Sequence, residues 1–66
     1  MDRAKLLGRV LDYLYEDNEV YLSAIGQEIP KLLDVVEILS TSFGVDYELT
    51  LLRENRKIKI VAKLWR

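Results

Sequence analysis

The chain has 66 residues, half of them apolar, a net charge of −1, and neither cysteine nor histidine. A chain of this length makes one domain, residues 1–66, with one small core. The missing residue types exclude a disulfide framework and a thiolate metal site, and they remove the commonest general base and the commonest metal ligand.

No apolar run approaches the ~20 residues of a membrane span. The start, MDRAKLLGRV, is charged and amphipathic and does not read as a signal peptide. A soluble, cytoplasmic protein is the expectation. Abundant Leu, Ile, Val, Glu, Lys and Arg beside a single Gln resemble thermophile composition.

Ala4, Leu7, Val10, Leu11 and Leu14 recur at helical spacing, which predicts an amphipathic helix over residues 3–16. EDNE breaks the pattern as a polar loop, and VYL is a short β-prone stretch. Ser23 then suits the N-cap of a brief second helix, Ala24 to Glu28. Pro30 disfavours helical geometry at Ile29, so that helix ends there, and Pro30 suits the first turn of a third helix. Leu32, Val35, Val36, Leu39 and Phe43 form the main apolar face of the third helix, with Gly44 as its C-terminal cap.

The remainder reads as a hairpin. With Asn55 and Arg56 as turn residues, Leu51 faces Ile60, Leu49 faces Ala62 and Tyr47 faces Leu64. Glu54 then faces Lys57 and Glu48 faces Lys63, so apolar pairs share one side and opposite charges the other. A slip of one residue would lose both sets. Asn tolerates a positive φ at the first turn position, whereas Arg suits the second less well, which allows a longer turn. The fold class expected is therefore α+β, a three-helix body with a C-terminal antiparallel β-hairpin.

Helix, short strand, helix, helix, hairpin is an order that resembles the winged-helix superfamily. EVYLSAIGQEI, PKLLDVVEILSTSFG and VDYELTLLRENRKIKIVAKLWR carry the resemblance. It implies a helix-turn-helix with a wing, and DNA binding as the commonest role. The third helix offers Lys31, Asp34 and Glu37 to a groove, and two of these repel phosphate. Leu33 and Ile38 lie off its main face, so it is apolar over more than one stripe, as helices covered by a partner are.

Charge is distributed unevenly. Residues 1–50 hold four basic and ten acidic side chains, net −6, while residues 51–66 hold six basic ones against Glu54 alone, net +5. Arg53, Arg56 and Lys59 have no facing acid and are the candidates for contact with a nucleic-acid backbone. The plain alternative is that Lys57 and Lys63 pair with Glu54 and Glu48 while Lys59 guards a strand edge. Asp12, Glu16, Asp17 and Glu19 form an acidic cluster that is either a solvated loop or a docking patch for a basic partner. Leu33, Ile38, Leu52, Val61 and Trp65 are the candidate protein interface, the last three on the outer hairpin face.

Catalysis is not expected. The hydroxyls of Ser23, Ser40, Thr41 and Ser42 have no base beside them, and Gly8, Gly26 and Gly44 make no phosphate loop. No cofactor, metal or small-molecule substrate is expected. Two readings follow. One is an interaction module, an adaptor or subunit of a larger nucleic-acid-associated assembly, whose partner is a second copy or another protein. The other is a dimeric winged-helix transcription regulator.

Overall fold

The computed structural model describes residues 3–66. Helix α1 spans Arg3–Asp17 and is followed by strand β1, Glu19–Ile25. A single 3-10 turn, Gly26–Glu28, leads into helix α2, Ile29–Phe43. Strands β2, Asp46–Glu54, and β3, Lys57–Trp65, complete the chain. There is one three-stranded antiparallel sheet, with order β1-β3-β2.

The three-helix body is thereby corrected. Residues 23–25 extend β1, because Ser23, Ala24 and Ile25 pair with Val61, Ile60 and Lys59 of β3. The expected N-cap at Ser23 loses to this long-range ladder, which satisfies the same backbone groups in an extended conformation. The alternation agrees with it: Val20, Leu22 and Ala24 turn inward, while Glu19, Tyr21, Ser23 and Ile25 are exposed. Without a helix at Ala24–Glu28 there is no helix-turn-helix, and the winged-helix expectation falls with it.

Local chemistry fixes the joints. Asn18 ends α1 in the left-handed conformation, φ 63°, its amide donating to the Leu14 carbonyl at 2.9 Å. Asn is among the few non-glycine residues that adopt this conformation readily. Gly26 turns the chain out of β1 with φ 58°, and Gly44 ends α2 with φ 67°. The amide of Val45 then donates to the Leu39 carbonyl at 3.1 Å, which ties the chain to the last turn of α2 as it enters β2. Pro30 lies in the first turn of α2, where its missing N–H costs nothing.

The hairpin has the register expected from sequence: Glu54↔Lys57, Leu51↔Ile60, Leu49↔Ala62, Glu48↔Lys63 and Tyr47↔Leu64. Its turn is two residues long. Asn55 and Arg56 both have positive φ, 49° and 66°, as the type I′ geometry requires.

Both helices pack on one face of the sheet. The core is Val10 and Leu14 from α1, Leu32, Val35, Val36 and Leu39 from α2, Val45, and Ala24, Ala62 and Leu64 from the sheet. It sits over β1 and β3. Strand β2 has no buried residue. A nine-residue strand is ~30 Å long, whereas a fifteen-residue helix covers ~22 Å. The hairpin therefore runs beyond its cover, and the molecule is 35 Å along its longest axis.

Leu39 is fully buried and Leu51 is 67% exposed. Leu39→Ala is expected to lower unfolding free energy by ~3 kcal/mol through a cavity in the core. Leu51→Ala should change it by less than ~0.5 kcal/mol under conditions where the chain is monomeric. Urea titrations of the two variants distinguish them.

Candidate nucleic-acid interface

The hairpin tip gathers the cations. Arg56 is the second turn residue, Lys57 opens β3, and Arg53 sits opposite Ile58 near the end of β2. All three are exposed and make no ion pair among the described residues. Period-two alternation puts Arg53 on the face shared with Leu51 and Ile58, and Lys57 on the opposite face. Cations thus flank both sides of the ribbon and crown its end.

Lys59 behaves differently. Its ammonium lies 3.8 Å from the Glu54 carboxylate, and its side chain is only 29% exposed. The acid expected opposite Lys57 is therefore engaged diagonally by Lys59. Of the three sequence candidates, Arg53 and Arg56 have no acid on them and Lys59 does. Lys57, first assigned to a plain cross-strand pair, joins the uncompensated group.

Arg56 is held in a conformation that L side chains adopt at a cost of ~1 kcal/mol or more, since Cβ crowds the carbonyl oxygen that follows. Gly or Asn is the usual residue there. The turn thus presents a guanidinium at its apex at the expense of backbone strain.

The acidic residues Asp12, Glu16 and Asp17 are exposed on the last turns of α1, and Glu19 is exposed at the start of β1. That is the end of the ribbon away from the hairpin turn, since Glu19 pairs with Trp65 and Trp65 with Asp46. Among the described residues no group of His, Cys, Asp or Glu is arranged to hold a metal ion.

The candidate interface residues do not form one surface. Leu33 and Ile38 lie on α2, each 37% exposed. Leu52, Val61 and Trp65 lie on the other side of the sheet, where no helix packs. Trp65 alternates with the buried Leu64 and so faces away from α1; the Lys63 ammonium sits 5.7 Å from its ring centroid.

What sequence reasoning missed is the helix-side face of the hairpin. Tyr47, Leu49, Leu51 and Ile58 share the apolar side of the hairpin with the buried Ala62 and Leu64, yet they are 41–67% exposed. Phe43 is on the same helical stripe as Leu32, Val36 and Leu39, but is 49% exposed at the end of α2. The cause is the absent third helix: two helices cannot cover a sheet this long. The lengths of the apolar strands, weighed against the helices, carried that signal.

One substitution probes the tip. Arg56→Gly is expected to raise the unfolding free energy by ~0.5–1 kcal/mol, because glycine meets no penalty at positive φ. The same variant should weaken any contact made by the turn. Denaturation and binding measured on one sample would show the two effects moving in opposite directions.

Residues 4–56 match the family model described as Alba. Two solved structures are similar to the chain. One is the crystal structure of ALBA1 from Trypanosoma brucei, with 25% identity and a TM-score of 0.90 over 100% of this chain and 62% of that one. The other is Alba from Thermoplasma volcanium, with 20% identity and a TM-score of 0.73 over 100% of this chain and 92% of that one. The chain thus spans less than two thirds of the length of the Trypanosoma protein. No curated protein matches it. These similarities agree with the two-helix, three-strand architecture and replace the winged-helix resemblance.

Proposed function

The chain belongs to the Alba family, and we propose that it is a small nucleic-acid-associated binding protein that works as a homodimer and contacts the phosphate backbone through its hairpin. Members of the family are small and nucleic-acid-associated. The observation that carries the reading is the projecting ribbon whose tip presents Arg53, Arg56 and Lys57 with no acid upon them.

Such a tip recognises phosphate as charge. It supplies attraction with little base readout, so binding should tolerate sequence and depend steeply on salt. Helix α2 does not read a groove in this arrangement. It is packed on the sheet through Leu32, Val35, Val36 and Leu39, and Asp34 is 3.2 Å from the Arg3 guanidinium. The transcription-regulator reading rested on the winged-helix fold and is set aside with it.

The uncovered face made by Phe43, Tyr47, Leu49, Leu51 and Ile58 supports the dimer. Contiguous apolar surface of this kind on a small domain marks an interaction site, and a two-fold dimer is the commonest way to cover it. Pairing there would add buried area to a domain whose own core is small. It would leave the turn of each copy free, with Arg56 at its apex and Lys57 on the other face and Arg53 at the margin of the pairing, which gives two points of attachment to one strand or duplex. Binding without catalysis, as a module of a larger nucleic-acid assembly inside the cytoplasm, belongs to the same proposal. No helix among the described residues is long and apolar enough to cross a membrane.

The test is a salt titration of binding to duplex and single-stranded oligonucleotides. Each phosphate contact contributes ~0.9 to the log–log slope on a duplex and ~0.7 on a single strand. Arg53→Ala or Arg56→Ala in a dimer removes two contacts, so the duplex slope should fall by ~1.8. Asp34→Ala and Glu37→Ala should leave affinity equal or higher. An unchanged slope in the arginine variants, or binding abolished by the two acid replacements, would contradict the proposal.

A further inference from the structure

The sheet has two unlike faces. Both helices pack on one, and no element among the described residues packs on the other. On that free face, residues opposed across the strands stand in rows. Glu19, Trp65 and Asp46 make one row, and Tyr21, Lys63 and Glu48 make the next. They face away from the helices because their strand neighbours Val20 and Leu64 turn to the core.

These rows have the chemistry of a cation site. Glu19, Asp46 and Glu48 are exposed and make no ion pair among the described residues. Glu19 and Asp46 flank Trp65, which is half-buried. The register sets Lys63 opposite Glu48, yet its ammonium lies 5.7 Å from the Trp65 centroid instead. The ring face therefore accepts a cation, and a guanidinium is found on such faces more often than an ammonium. The other end of the same ribbon carries Arg56 and Lys57, exposed and with no acid on them. Each copy thus has an uncompensated anionic patch around an indole at one end and an uncompensated cationic tip at the other.

We propose that the hairpin tip of one copy docks on this patch of another, head to tail. Lys63 leaves the ring and turns to Glu48, which it already faces. Arg56 takes its place over Trp65, between Glu19 and Asp46, and Lys57 meets whichever of these two acids Arg56 leaves free. The bare face of Leu49 and Leu51 is on the helix side, so pairing there uses the opposite side of the sheet. The docking tip therefore belongs to a copy outside that pair. Such a contact is heterologous and builds an open chain rather than a closed ring. It shares the tip with the phosphate contact proposed above, so nucleic acid and the neighbouring copy exclude one another. Exposed ion pairs are weak and screened by salt, so the chain forms at low ionic strength and disperses above it.

The experiment is sedimentation velocity of the full chain at about 20 mM and about 500 mM salt, where the screening length is ~20 Å and ~4 Å. The high-salt mass is the baseline, whether it is one copy or two. At low salt the mass should rise with concentration to at least twice that baseline. Asp46→Lys and Arg56→Glu, each checked for fold by circular dichroism, should stay at the baseline. An equimolar mixture of the two should climb again, because the tip of the first fits the patch of the second. Glu37→Lys makes the same charge change on α2 and should associate like the unaltered chain. The proposal is overturned if the low-salt mass stays at the baseline, if Glu37→Lys disrupts as much as Asp46→Lys, or if the mixture does not recover. Asp46→Asn decides the matter should a reversed variant fail to fold: it should weaken association at least threefold, and unchanged association overturns the proposal. An excess of a short oligonucleotide separates this contact from the hairpin reading. Dispersal of the chains supports both. Binding through the tip, shown by a salt slope that Arg56→Glu lowers, with the chains left intact, overturns the head-to-tail contact. A slope that Arg56→Glu leaves unchanged, with Asp46→Asn still weakening association, overturns the hairpin reading and supports the contact.

Discussion

Strand β3 is the member on which the rest of the molecule depends. It is the centre of the sheet, paired over seven residues with β1 and over nine with β2. Its inward residues Ala62 and Leu64 are fully buried beneath the helices, and Ile60 is half-buried. By pairing with Ser23, Ala24 and Ile25 it holds residues in a strand that local signals assign to a helix. That one ladder lowers the helix count from three to two. The short cover then leaves the hairpin projecting with one apolar face bare and a charged tip.

Much of this was legible in the sequence, for physical reasons that can be named. Helix α1 declared itself by Leu7, Val10, Leu11 and Leu14, and the end of α2 by Gly44, which takes a positive φ. The hairpin register was readable because charge pairs and apolar pairs alternate, and only one register satisfies both. Residues 23–25 were misread because Ser23 and Pro30 look like helix punctuation. The partner that decides their state lies around Val61, far along the chain. Yet Val20, Leu22 and Ala24 already alternated, and that weak period-two signal was the better guide. At the candidate interface, Arg53 and Arg56 were identified from the absence of a facing acid. Lys59 has no facing acid either, but its diagonal reach to Glu54 is invisible in a flat register.

The two halves of the proposed role arise from the same shortage of cover. The face bearing Leu49 and Leu51 is bare because no third helix exists, and the tip bearing Arg56 projects for the same reason. A domain with so small a core gains from covering that face with another copy. The charge arrangement agrees: the acidic residues of α1 lie away from the tip, so the tip's field is left uncancelled toward a polyanion.

The central claim is that the bare hairpin face is where two copies meet. Sedimentation equilibrium of the unaltered chain beside a Leu49→Glu, Leu51→Glu variant tests it most directly. Both leucines are exposed in the single chain, at 41% and 67%, so the substitutions should leave the fold intact. The unaltered protein is expected at twice the 7.7 kDa chain mass and the folded variant at 7.7 kDa. A monomeric mass for the unaltered chain at high micromolar concentration, or a dimer that survives in the variant, would contradict it.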